Sequence, residues 1–155
     1  QTVVGNKQKA FGPDHPDVAQ ALNYLAIIYH DQDRYADAES LYQQSLAIRE
    51  KAFGTDHPDV GQSLNNIAVL YTAQRRYTDA EALLRQSLVI RENALGPNHS
   101  DVAQSLNNLA VLYKKLAALD GPSRDVSPYG TRVVVLVEAG RQRDAHAGDQ
   151  ARRMT

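Results

Sequence analysis

The chain contains no cysteine, which excludes a disulfide framework, thiol catalysis and cysteine-ligated metal together. That absence fits a reducing compartment, and a cytoplasmic location is expected. Charge of either sign is not in excess. Seventeen Lys and Arg against 18 Asp and Glu leave a formal charge of -1, so nonspecific attraction to nucleic acid or to an anionic membrane has no electrostatic support. Long apolar runs are missing too. Val133 to Val137 is the longest run of aliphatic residues without alanine, against the roughly 18 to 20 residues that a membrane span needs. The opening QTVVGNKQKAFG has neither an initiator Met nor a signal-peptide core, and reads as an excerpt from a longer protein. No glycine-rich phosphate loop occurs, and nothing places a nucleophile on a strained elbow beside an oxyanion hole. Neither enzymatic activity nor a cofactor is expected.

What the chain does have is repetition. The phrase HPDVGQSLNNIAVLYTAQRRYTDAEALLRQSLVIRENALG runs from His57 to Gly96. It begins 42 residues earlier at His15 and again 42 residues later at His99. ALNYLAIIY (21–29), SLNNIAVLY (63–71) and SLNNLAVLY (105–113) superpose without a gap, as do RYADAESLYQQSLAIRE (34–50) and RYTDAEALLRQSLVIRE (76–92). Self-similarity at a fixed period of this length signals a stacked-repeat architecture.

Each unit reads as two helices. Pro16 and Pro58 suit the first position of helix A, where the missing N–H would have no intrahelical partner. Asp17, Asp59 and Asp101 follow in the first turn, at the positive end of the dipole. Ser100 takes the place of proline in the third unit and is itself a competent cap; Asp14 and Asp56 are expected as caps as well. Leu64, Ile67, Ala68, Leu70 and Tyr71 recur at helical rather than strand spacing. Ala26, Ala68 and Ala110 at one position predict a close helix crossing. The turns DQDR (31–34) and AQRR (73–76) lead into helix B, opening at Tyr35 and Tyr77. Gly54 and Gly96 stand where the chain must turn left-handed beyond it. Lys9-Ala10-Phe11-Gly12 matches Lys51-Ala52-Phe53-Gly54, so residues 1–11 are the end of a preceding helix B.

Leu64, Ala68, Tyr71, Tyr77 and Ala80 fall where the tetratricopeptide-repeat (TPR) signature places its helix-packing residues. With a period of 42 and the wording HPD-V-A-x-x-LNNLA-x-LY, the chain resembles the kinesin-light-chain class of TPR over residues 1–118. The resemblance implies an all-α fold, an α-α superhelix (TPR solenoid) of antiparallel helix pairs. Units are expected at 12–54 and 55–96, with helix A of a third at 97–118. Ser45 and Ser87 depart from the family by replacing its usual alanine. His-Pro-Asp also spells the J-domain loop signature, but here it recurs as a helix start and is read as capping. His15, His57 and His99 stand on equivalent corners of successive units, too far apart to share a metal ion.

In a TPR solenoid the A helices line a concave groove. The resemblance therefore points to Gln20, Asn23 and Ile27, then Gln62, Asn65 and Val69, then Gln104, Asn107 and Val111, flanked by Tyr24, Asn66 and Asn108. An asparagine amide donates and accepts at once and can hold the backbone of an extended peptide; an asparagine ladder can equally fix one helix A against the next. His30, Asp31, Thr72, Lys114 and Lys115 vary between units further along this face. The expected function is protein–protein interaction, with a peptide segment of a partner captured in the groove and no nucleic acid or membrane involved. The alternative is a structural, self-associating segment of a larger regulatory or scaffold protein.

The wording changes after Tyr113. In strict register Pro122 replaces the packing Ala80, so helix B of the third unit cannot begin there. Residues 119–155 are read as a divergent tail: a degenerate terminal helix, a disordered segment, or a stretch translated out of the ancestral frame. Each reading leaves the third unit poorly capped, and a homo-oligomer formed through uncapped repeat ends is a further expectation.

Overall fold

The computed structural model describes residues 2–120. Six helices follow one another: α1 (Val3–Phe11), α2 (Pro16–Asp31), α3 (Tyr35–Phe53), α4 (Pro58–Ala73), α5 (Tyr77–Leu95) and α6 (Ser100–Asp120). No strand occurs among the described residues. α2, α4 and α6 are A-type by the repeat; α1, α3 and α5 are B-type. The chain divides into two compact units, Gln1–Ser105 and Leu106–Thr155. Of the second, the described part is the C-terminal stretch of α6. Leu119 and Asp120 complete that helix, and the rest of the expected tail lies outside the described residues.

The A helices start as the prolines require but are capped differently from expectation. His15 and His57 are the N-cap residues, each with extended backbone. Their Nδ1 atoms accept from the amides of Asp17 at 3.1 Å and Asp59 at 3.2 Å. His99 repeats this on Asp101 at 3.1 Å, so Ser100 is the first residue of α6 and not its cap. Asp14 and Asp56 do not cap either: Asp14 pairs with Lys51, and Asp56 is exposed. An imidazole with a lone pair on Nδ1 replaces the usual Asp, Asn or Ser oxygen. Phe11 and Phe53, ending the helix before, stack on His15 and His57 with centroids 4.8 and 4.4 Å apart, so each cap is also a packed joint.

The A helices end in six-to-one backbone bonds, Arg34 N to Tyr29 O at 2.9 Å and Arg76 N to Tyr71 O at 2.8 Å. This closure holds Asp33 and Arg75 at φ of 59° and 62°, left-handed conformations occupied here by side-chain-bearing residues. The B helices end at Gly12, Gly54 and Gly96, with φ of 84–89° but ψ of 158–166°. That is a mirror-extended rather than a left-handed helical conformation, one essentially restricted to glycine.

α2 packs on α3 and α4 on α5, with α3 on α4 and α1 on α2 joining successive pairs. Ala19, Ala26, Ala38, Ala68 and Ala80 are wholly buried where the helices cross. Val60, Leu64 and Ile90 form a core cluster with Leu46 and Leu83 against it; burying a side chain of this size contributes roughly 1.5–3 kcal/mol. Two polar devices reinforce the apolar packing. Ser45 Oγ donates to Ala19 O at 2.7 Å, and Ser87 Oγ to Gly61 O at 2.6 Å, tying each B helix to its own A helix. The family's alanine could not make this bond. Arg49 and Arg91, 4% and 1% exposed, then tie each B helix to the next A helix. Arg49 Nη1 donates to Asp59 O (2.9 Å), Gln62 Oε1 (3.1 Å) and Ser63 Oγ (2.9 Å). Arg91 repeats the set on Asp101 O, Gln104 Oε1 and Ser105 Oγ at 2.7, 3.1 and 3.0 Å. Burial pushes both guanidinium pKa values down, while Asp59 and Asp101 oppose the shift.

Candidate functional site

Positions four and three residues apart on a helix share a face. Gln20, Tyr24 and Ile27 therefore form a stripe on α2, and Gln62, Asn66 and Val69 form its counterpart on α4. On α4 nearly everything else is occupied. Val60, Gly61, Ser63, Leu64, Asn65, Ile67, Ala68, Leu70 and Tyr71 are buried, and Gln62, Asn66 and Val69 remain open or half-open. On α2, Gln20 is exposed, Tyr24 is 58% exposed and Ile27 36%.

The two asparagine positions of each repeat separate. Asn23 and Asn65 are 4% and 1% exposed, so neither offers a ligand its side chain. Asn23 Oδ1 instead accepts from Asn66 Nδ2 at 2.9 Å, joining α2 to α4. Of the two roles weighed for these asparagines, Asn23 takes the one that fixes one A helix against the next. On α6, Gln104 lies in the first unit and is exposed. Asn107 and Val111, beyond Ser105, are exposed and Asn108 half-buried.

The hydrogen bonds orient the surviving amides. Arg49 engages Gln62 through Oε1, and Gln62 is exposed, so Nε2 is the end left to donate. Asn66 engages Asn23 through Nδ2, which leaves Oδ1 as the acceptor. A donor and an acceptor therefore stand one helical turn apart on α4, above Val69. Gln20 Nε2 reaches Tyr24 Oη at 3.4 Å. Among the variable positions, Thr72 Oγ1 donates back to Ala68 O at 2.8 Å, and the His30 ring lies 5.8 Å from that of Tyr35. Asp31, Lys114 and Lys115 are exposed.

The arginines that set Gln62 and Gln104 went unread in the sequence. Their signal was the repeated IRE at 48–50 and 90–92, a cation at fixed phase beside apolar positions. A second polar group, on α3, α4 and the turn before α5, was also missed. Arg76 lies over the Tyr71 ring at 3.6 Å and donates to Glu39 at 3.1 Å, while Tyr71 Oη donates to the same carboxylate at 2.8 Å. Burial and the Glu39 contact raise the Tyr71 phenol, and Arg76 counteracts them. No group of three or more His, Cys, Asp or Glu is placed to hold a metal ion among the described residues, and no helix there is long and apolar enough to cross a membrane.

Paired helices, a 42-residue period and bonds linking each repeat to the next define a tetratricopeptide-repeat architecture. The tetratricopeptide-repeat family matches residues 6–51, 17–92 and 59–120, and the chain belongs to it. BtubC (BKLC) from P. vanneervenii superposes with a TM-score of 0.71 at 26% identity, over 92% of this chain and 53% of that one. The nearly identical TPR-like repeats of a Podosopora anserina protein assigned to the kinesin light chains give 0.68 at 23% identity, over 93% of this chain and 64% of that one, a likeness of fold alone. Nephrocystin-3 of Mus musculus is 46% identical over 39 residues, and that of Xenopus laevis 44%. Those 39 residues are 25% of this chain and 3% of either relative's length. Repeats of this family generally mediate protein–protein interaction.

Proposed function

We propose that the stripe formed by Gln20, Tyr24 and Ile27 on α2 and Gln62, Asn66 and Val69 on α4 receives an extended peptide segment of a partner protein. The observation that carries the reading is the orientation of the α4 amides. Gln62 keeps Nε2 and Asn66 keeps Oδ1 for a ligand, each side chain being held by a bond at its opposite end. An extended backbone offers an acceptor and a donor in alternation, so its C=O meets Gln62 and its N–H meets Asn66. Val69 and Ile27 supply apolar floor for side chains between them. Because both amides are held in place before binding, little ordering entropy remains to be lost. The proposal includes no catalytic step and no cofactor.

The test is selection of short peptides from a display library on the immobilised chain, followed by fluorescence anisotropy with purified variants. Val69→Arg should weaken the selected peptides by more than roughly tenfold and Gln62→Ala by about fivefold. Gln86→Ala, at an exposed position of α5, should leave them unchanged. Peptides that bind both groove variants like the parent would end this reading.

A further inference from the structure

The turn between α4 and α5 differs from its counterpart between α2 and α3 at two exposed positions. Advancing 42 residues turns Asp33 into Arg75 and Ala36 into Thr78, while Arg34 and Tyr35 recur as Arg76 and Tyr77. Asp33 suits its place: aspartate tolerates a left-handed backbone, and its carboxylate accepts from Tyr35 Oη at 2.7 Å. Arg75 holds the same left-handed conformation, at φ 62°, without that tolerance. Its guanidinium has no ion pair or hydrogen bond among the described residues. Arg76, by contrast, is engaged by Glu39, Asp79 and the Tyr71 ring. A strained residue whose side chain stabilises nothing in the fold points to a role outside it. Three residues on, Thr78 presents an exposed hydroxyl in the first turn of α5.

We propose that Thr78 is a phosphorylation site, read through Arg75 and Arg76 by a kinase with an acidic substrate cleft, and that Arg75 then holds the phosphate. Cations three and two residues before the acceptor hydroxyl are the charge pattern such a cleft selects. Among residues 2–120 no other serine or threonine has arginine at both positions; Thr155 does, after Arg152 and Arg153. The first unit is closed to this chemistry, because Ala36 has no hydroxyl and Asp33 puts a negative charge where the cleft needs a positive one. Arg76, the N-cap of α5, makes no side-chain bond to its helix. The first turn therefore opens readily and lays residues 75–78 out as an extended segment. In the transfer the γ-phosphorus of ATP bonds to Thr78 Oγ1 as its bond to the bridging β-phosphate oxygen breaks. The hydroxyl proton passes to the kinase's base and ADP leaves. The product adds a charge of about −1.5 to −2 three residues from the unpaired guanidinium of Arg75. Thr78 stands on a B helix, and the inference does not rest on peptide binding by α2 and α4.

Incubation of the full 155-residue chain with magnesium ATP and the catalytic subunit of cAMP-dependent protein kinase tests it, read by intact mass and peptide mapping. A Thr155→Ala background removes the competing acceptor. One phosphate should appear, on Thr78. Thr78→Ala should abolish it, and Arg75→Asp should lower kcat/KM for the transfer by more than about tenfold. Both changes install what the first unit carries at the same address, and circular dichroism verifies that both variants stay helical. Phosphorus NMR then reads the phosphate's partner. A nearby cation favours the dianion, so Arg75→Gln in the modified chain should raise the second phosphate ionisation by about half a unit. A parent left unmodified at Thr78 overturns the proposal. So does a transfer rate indifferent to Arg75→Asp, or a phosphate whose titration ignores Arg75→Gln.

Discussion

Arg49 puts a positive charge almost out of water with a carbonyl, an amide oxygen and a hydroxyl as its acceptors, so its replacements measure how much the charge itself contributes. One Nη1 carries two protons for three acceptors at 2.9–3.1 Å, so about two bonds can be well formed at once. At roughly 1.5–3 kcal/mol per bond from a charged donor, the gross gain is about 3–6 kcal/mol. Against it stands desolvation of the guanidinium, which the lowered pKa reports and which removes several kcal/mol. Arg49→Ala loses the bonds and also the packing of the long stem, and should cost about 3–4 kcal/mol. Arg49→Lys keeps a charge but has a single point from which to reach the acceptors, at about 2 kcal/mol. Arg49→Met keeps the stem and removes the desolvation. It leaves Gln62 to water and Ser63 free to turn its hydroxyl to its own helix, so the loss should be about 1 kcal/mol. Guanidinium chloride unfolding followed by far-UV circular dichroism reads the series. Arg49 joins neighbouring repeats, so Arg49→Ala should also lower the m-value as their cooperativity loosens. Were Arg49→Met to lose as much as Arg49→Ala, the charge and not the packing would hold the joint, and this reasoning would be wrong.

Four further measurements probe other parts of the repeat. Burial pushes the Tyr42 phenol up to about 12; the unfolded phenol ionises first, near pH 10, so stability should fall by about 3 kcal/mol as pH rises between the two. Tyr42→Phe should remove most of that alkaline loss in a pH series of melting curves. His57→Ala should cost about 2 kcal/mol, the cap and the Phe53 stack together, and His57→Asn about 1 because it restores only the cap. Arg75→Gly should stabilise by about 0.5 kcal/mol, since glycine occupies a left-handed conformation without the clash of a Cβ. A Cβ on Gly61 would stand 3.1 Å from Arg91 Cγ and 3.3 Å from Ile90 Cγ2, yet Ala19 fills the same position in the repeat before. Gly61→Ala should therefore gain about 0.5 kcal/mol from helix propensity; a loss above about 1 would mean the two repeats are spaced differently.

Helix boundaries were legible because they are local. Pro16 and Pro58 start helices for reasons contained in the residue, Tyr35 and Tyr77 open the B helices where the period places them, and Gly54 and Gly96 end those helices through their own backbone freedom. The His caps were harder to read because Asp14 and Asp56 are better caps by composition. What favours the imidazole is the phenylalanine stacked behind it, a contact between residues in different elements. Arg49 and Arg91 were missed for the same kind of reason. A cation at helical phase reads as solvated surface until the next repeat brings a serine, a glutamine and a carbonyl around it.

The asparagines carry this dependence on neighbours into function. Asn23, Asn65 and Asn107 have one address in the repeat and nearly one local sequence, yet the first two are buried and the third is exposed. Neighbouring helices set that difference, which no reading of one unit can supply. Where repeats meet, the invariant polar groups are consumed by the joint: Asn23 holds Asn66, and Arg49 holds Ser63 and the oxygen of Gln62. On the proposed reading, a ligand would meet what the joint leaves over, the second amide ends of Gln62 and Asn66 together with positions that change between units, Tyr24 against Asn66 and Ile27 against Val69. Partner choice on this frame should therefore follow the nonrepeating residues. Exchanging Tyr24 for Asn should alter which peptides are selected, while leaving the α2–α4 bond from Asn66 to Asn23 intact.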